Sequence, residues 1–166
     1  MGLAASANES IAAILQRALG RALARGAGHA GDLTPTEAAT LLRAGAITLV
    51  DVRTEPEWVF VGRVAGSRRV EWPSPDGSIT PDPVARRGFA ARLADVAQRS
   101  DRPLALLCRS GIRSEAAAQE AALAGLDVYS VLEGFEGHLD RSGRRGNING
   151  WRHAGLPWVQ GRESGA

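Results

Sequence analysis

Apolar residues Ile11, Ile14, Leu15, Ala18, Leu19, Ala22 and Leu23 recur at helical spacing between Asn8 and Arg25. The pattern predicts an amphipathic helix capped by Ser6 or Asn8. Gly26 to Gly31 reads as a flexible joint behind it. Thr34-Pro35-Thr36-Glu37 is a strong helix start, with a Thr cap, Pro at the first helical position and Glu three residues on. That helix should reach Arg43 and stop at Gly45. Ile47 to Val52 is a short, mostly apolar run, as expected of a strand covered on both faces. A short helix from Glu55 to Val61, a strand near Ser67 to Trp72 and a Pro-rich turn from Pro73 to Pro83 follow. The remainder reads as a helix from Val84 to Gln98, a strand from Pro103 to Leu107, an alanine-rich helix from Ile112 to Ala124, and a strand from Asp127 to Leu132. Strands alternating with helices predict an α/β fold: an open parallel sheet of about five strands with helices on both faces. The expected organisation is a helical arm and joint over 1–31, a domain over 32–160 and a flexible tail over 161–166.

The chain has 166 residues, enough for one domain with a sizeable core. All 20 basic residues are arginine, so lysine Schiff-base, phosphate-loop and general-base chemistries are excluded. A net charge of +2 gives no sequence-wide basic character, and no nucleic-acid partner is expected. Nothing approaches the roughly 20 apolar residues of a membrane span. Met1-Gly2-Leu3-Ala4-Ala5-Ser6 formally matches a myristoylation pattern, but the first helix is expected to fold onto the domain or to mediate a homodimer rather than meet a membrane. There is no compact secretory h-region, and a cytoplasmic setting is expected.

One cysteine, Cys108, excludes an internal disulfide, a multi-cysteine metal site and a resolving partner in the chain. No metal and no cofactor are expected. Cys108 opens Cys108-Arg109-Ser110-Gly111-Ile112-Arg113-Ser114, between a buried strand and a helix, at the sheet edge where open α/β proteins bind ligands. The helix start offers unpaired N–H groups and the positive end of its dipole. Gly111 lets the backbone curl, and Arg109 and Arg113 add charge. Such a loop cradles an anion and favours a thiolate or a persulfide anion.

This loop resembles the active-site loop of the rhodanese family, commonly Cys-Arg-Ser-Gly-x-Arg-Ser. Asp51-Val52-Arg53, with Glu55, Glu57 and Trp58 behind it, resembles the family's Asp-Val-Arg signature. Gly62-Arg63-Val64-Ala65-Gly66-Ser67 resembles its Gly-His-Ile-x-Gly-Ala segment. Leu132-Glu133-Gly134 and Gly150-Trp151…Gly155-Leu156-Pro157 resemble its closing segment. The likeness spans about residues 33 to 158. It implies a sulfurtransferase in which Cys108 takes sulfane sulfur from a donor such as thiosulfate or a persulfide. The acceptor would be cyanide or a thiol, and a protein persulfide is a further expected partner. It also implies that Asp51 pairs with Arg113 to brace the loop, with Arg53 and Ser114 in support. Substrate would meet Arg109, Ser110, Gly111, Ile112 and Arg113.

Two departures matter. Arg63 stands where the family often has His, and is expected to be a solvated charge. Residues 135–149 intervene in the closing segment, with Glu136, His138, Asp140, Arg141, Arg144 and Arg145; they should emerge on the Cys108 edge, either rimming the pocket or as a solvated loop. A phosphatase or arsenate reductase would use Cys-x5-Arg, one residue longer than the Cys-x4-Arg here. A non-catalytic module of the same fold typically loses the cysteine. A cysteine protease would need His138 or His153 beside Cys108. Trp58, Trp72, Trp151 and Trp158 are expected in the core or a pocket wall.

Overall fold

A computed structural model describes residues 9–74 and 81–161. The myristoylation pattern, the caps expected at Ser6 and Asn8, most of the Pro-rich turn and most of the tail lie outside the described residues. Helix α1 (Ile11–Ala24) is capped by Ser10, whose side chain accepts from the Ala13 N–H. Then come β1 (Gly31–Leu33), α2 (Pro35–Arg43), β2 (Thr48–Asp51), a π-helical turn (Glu57–Val61), β3 (Arg68–Arg69), α3 (Pro83–Ser100), β4 (Leu104–Leu107), α4 (Ile112–Leu123) and β5 (Val128–Val131). The strands form one sheet in the order β1-β5-β4-β2-β3, every pairing parallel.

Alternation along the strands divides the core. On β4, Ala105 and Leu107 face one layer with Ile14, Leu41 and Trp151. Leu104, Leu106 and Cys108 face the other, with Phe89, Leu93, Ala117 and Ala121. Full burial of each leucine contributes about 1.5–3 kcal/mol. Small residues on α4 bring that helix close to the sheet, which sets the loop between β4 and α4 tightly over the strand ends.

The start expected at Thr34 is present as a complete capping box: Thr34 Oγ1 accepts from Glu37 N–H, and Glu37 accepts from Thr34 N–H. Glu37 also receives Arg17 and Arg21 of α1, so one carboxylate fastens α1 to α2. The joint expected at 26–31 is held instead of flexible. Gly31 begins β1, and a Cβ there would lie 2.7 Å from the Ala18 backbone: the glycine marks a close helix–strand approach. β1 itself has three residues and pairs with β5, a long-range partnership that leaves little local pattern. The second expected strand shortens to Arg68–Arg69. Among the described residues no helix is long and apolar enough to cross a membrane.

Candidate active site

β4 delivers Cys108 to the carboxyl edge of the sheet, where its side chain is 1% exposed. The chain turns through Arg109 and Ser110 to Gly111, whose φ of 102° is open to glycine and strained for other residues, and α4 starts at Ile112. The Gly111 N–H donates to Cys108 Sγ at 3.1 Å. Ser114 Oγ lies 3.4 Å from Sγ, donates to the Gly111 carbonyl at 3.2 Å, and sits 3.2 Å from Ser130 Oγ on β5. The backbone N–H at the helix start therefore points at sulfur, an arrangement suited to an anion there, while the thiol form donates to Ser114 Oγ.

The loop is clamped from behind. Phe135 donates its N–H to the Cys108 carbonyl at 2.8 Å, and Glu136 donates to the Arg109 carbonyl at 2.9 Å. Between them and β5, Gly134 has φ 69°, and a Cβ there would stand 2.5 Å from the Arg109 carbonyl. The segment after β5 thus lies against the cysteine loop, and its Phe135 is fully buried.

The pairing expected between Asp51 and Arg113 is not formed. Asp51 accepts from the Arg53 N–H at 3.0 Å and from the Arg53 guanidinium at 2.7 Å, both side chains fully buried. Arg113 instead makes two 2.8 Å bonds to Glu57. The reason is reach: Arg53 sits two residues from Asp51 on the same strand exit and satisfies it, while the π-helical turn carries Glu57 over the loop. Arg63 is another correction. It is 6% exposed, stacked over Trp58 at 4.6 Å and donating to the Gly161 carbonyl. Arg109 and Ile112 are exposed and Ser110 is buried; Arg109 has no side-chain partner among the described residues.

Burial alone would raise the Glu57 carboxyl, but Arg113, with Thr54, brings it down to about 2. A value depressed below the unfolded one of about 4.3 stabilises the fold fully above that pH, and the contribution fades as pH falls toward 2. Glu57→Gln should melt below the parent, because Arg113 loses its charged partner. Its melting deficit against the parent should be constant above about pH 5 and shrink below about pH 4; a deficit that grows in acid would contradict the assignment.

A cavity of about 630 Å³ adjoins the loop. Ser110, Gly111 and Ile112 form one side, Ser130, Leu132 and Glu133 another, and Arg25, Glu115, His138 and Asn149 line its rim. Gly111 touches both this cavity and Sγ. Sequence reading missed the cluster beside it. Arg25, at the end of α1, reaches Asp32 at 2.7 Å and Glu115 at 2.6 Å, and Glu115 accepts His29 at 2.8 Å. His29, Asp32 and Glu115 offer three ligand atoms in metal-like proximity, but the Arg25 guanidinium already stands between the two carboxylates as their cation.

The family model for the rhodanese-like domain matches residues 34–140. The chain belongs to the rhodanese-like family. Relatives include Uncharacterized protein RP600 of Rickettsia prowazekii (strain Madrid E), 32% identical over 114 residues, covering 66% of this chain and 80% of that one. The crystal structure of Rv0390 from M. tuberculosis is 44% identical, covers 80% of this chain and 99% of that one, and superposes with a TM-score of 0.64. The rhodanese-like fold is shared at 21% identity by a structure of an EanB variant with ergothioneine linked to a persulfide cysteine. That match covers 80% of this chain and 32% of that one, with a TM-score of 0.53.

Proposed function

We propose that this rhodanese-like protein is a sulfurtransferase carrying sulfane sulfur as a persulfide on Cys108. The observation that carries the reading is the placement of Sγ, 3.1 Å from the Gly111 N–H and 3.4 Å from the Ser114 hydroxyl, at the start of α4. With thiosulfate as donor, the Cys108 thiolate attacks the outer sulfur. The S–S bond of thiosulfate breaks, and sulfite leaves with the electron pair. An acceptor thiolate or cyanide then attacks the outer sulfur of the persulfide, and Cys108 leaves as thiolate. A low-molecular-weight or protein persulfide can replace thiosulfate in the first step. Exposed Arg109 supplies positive charge for an anionic donor.

The oxyanion chemistry of a phosphatase or arsenate reductase is disfavoured, because the arginine that would hold the oxyanion, Arg113, is taken by two bonds to Glu57. Cysteine protease chemistry lacks its base: the polar partners of Sγ are a backbone N–H and a serine, while His138 and His153 bond to Asn149 and to the Gly146 carbonyl.

Incubation with thiosulfate, removal of excess and intact-mass measurement should show one added sulfur that a reductant removes. No adduct with thiosulfate or with glutathione persulfide would overturn the reading.

A further inference from the structure

Two parts of the chain lie outside the motifs shared with the family: α1, which ends in Arg25, and residues 135–149, which bring His138 and Asn149. Both arrive at the same cavity, whose lining includes neither Glu57 nor Arg113. Convergence of separate elements on one concavity beside a reactive loop is the usual anatomy of a ligand site, and about 630 Å³ suits a small organic molecule.

The charges decide what kind. Arg25 is neutralised by Asp32 and Glu115. Glu115 has both oxygens occupied, one by Arg25 and His29, the other by Gln119. Glu133 differs. Its Oε2 accepts from the Gly150 N–H at 3.1 Å, while Oε1 has no partner among the described residues. Its backbone is held at φ 68°, a conformation costly for a non-glycine residue, in the strand-to-loop turn against Gly111. Beside it, His138 Nδ1 and the Asn149 side-chain amide meet at 3.0 Å. The amide N–H donates to Nδ1, which leaves Nε2 as the ring's donor.

The lining thus combines apolar walls, Ile112, Ala116 and Leu132, with one unsatisfied carboxylate and one ring donor. Its residual charge is negative, which repels thiosulfate and suits a cation. We infer that this cavity binds the sulfur acceptor, and that the acceptor is a small thiol bearing a protonated amine, which Glu133 receives. This rests on the sulfurtransferase reading. It gives the two half-reactions opposite electrostatics: a donor drawn by Arg109, an acceptor held by Glu133. The acceptor thiolate displaces Cys108 from the outer sulfur and departs as an amine-bearing persulfide.

The test uses thiosulfate as donor and three acceptors: cyanide, cysteamine and 3-mercaptopropionate. The two thiols match in length and differ in charge, so the ratio of their kcat/KM values is followed between variants rather than either value. In Glu133→Gln, whose amide oxygen still accepts from Gly150, the cysteamine preference should fall about tenfold, the scale of one charge-assisted hydrogen bond. Turnover with cyanide, too small to need the cavity, is the reference against which both thiol rates are read. Gln119→Arg, a surface change adding a cation to the lining, should lower the ratio in the same direction. Calorimetry of cysteamine with the full chain, weakened in both variants, reads the site independently of turnover. Unaltered ratios with normal cyanide turnover would overturn the inference and leave the parent reading standing. Absence of transfer to any of the three acceptors by the parent protein would overturn the sulfurtransferase reading instead, with calorimetry then judging the cavity alone.

Discussion

Substituting serine for Cys108 is expected to leave a folded protein that takes up no sulfur. The hydroxyl is smaller than the thiol and can keep the Gly111 N–H and Ser114 contacts, so stability should change by no more than about 1 kcal/mol. The chemistry has no such substitute. A serine hydroxyl is scarcely ionised at neutral pH and has no adjacent base in this site, whereas a thiolate attacks sulfur readily. With no second cysteine in the chain, nothing else can form the persulfide. Transfer from thiosulfate to cyanide should fall below detection, and intact mass should show no reducible adduct while the melting curve stays in place. Retained turnover in this variant would remove Cys108 from the mechanism.

The second large effect is on stability. Arg53→Met should destabilise the fold by about 3–5 kcal/mol, the cost of leaving a buried carboxylate without its cation. Asp51 and Arg53 are both fully buried. The guanidinium also donates to the Gly62 carbonyl at 2.7 Å and lies 4.4 Å over the Phe135 ring. It therefore joins the end of β2 to the backbone that precedes β3 and to the segment that clamps the cysteine loop. For a chain of this size the melting temperature should drop by roughly 10 °C. Adding Asp51→Asn should recover part of the loss, because the orphaned charge is then gone. A single variant melting within about 2 °C of the parent would show that Asp51 finds another partner.

Sequence reading succeeded where the signal is local. The capping box of α2 is written in four consecutive residues, and β2, β4 and β5 announce themselves as apolar runs between turns. The cysteine loop is likewise contiguous, so Cys108, Gly111 and Ser114 were legible together. What failed depends on neighbours distant in the chain. β1 is a strand only because β5 lies beside it. Arg63 is buried because Val159 bridges its backbone and the Gly161 carbonyl accepts from its guanidinium. Glu57 reaches Arg113 because the turn at Glu57–Val61 is wider than an α-helix, a geometry that spacing alone does not reveal. The glycines of 26–31 misled for a related reason: a residue without a side chain marks either freedom or contact too close for a Cβ, and Gly31 is the second kind.

The place of β1 in the sheet bears on how the protein is made. Gly31 pairs with Tyr129 and Leu33 with Val131, so β1 leaves the ribosome long before β5 and waits for it before it has a neighbour. Until then α1 has no β1–β5 surface to cover, and its apolar stripe, Ile14 and Ala18 included, stays open to solvent. Pairings so distant in sequence are slow to close. The nascent chain therefore exposes a sticky helix until β5 has been made, a window in which a chaperone or a neighbouring nascent chain can reach it.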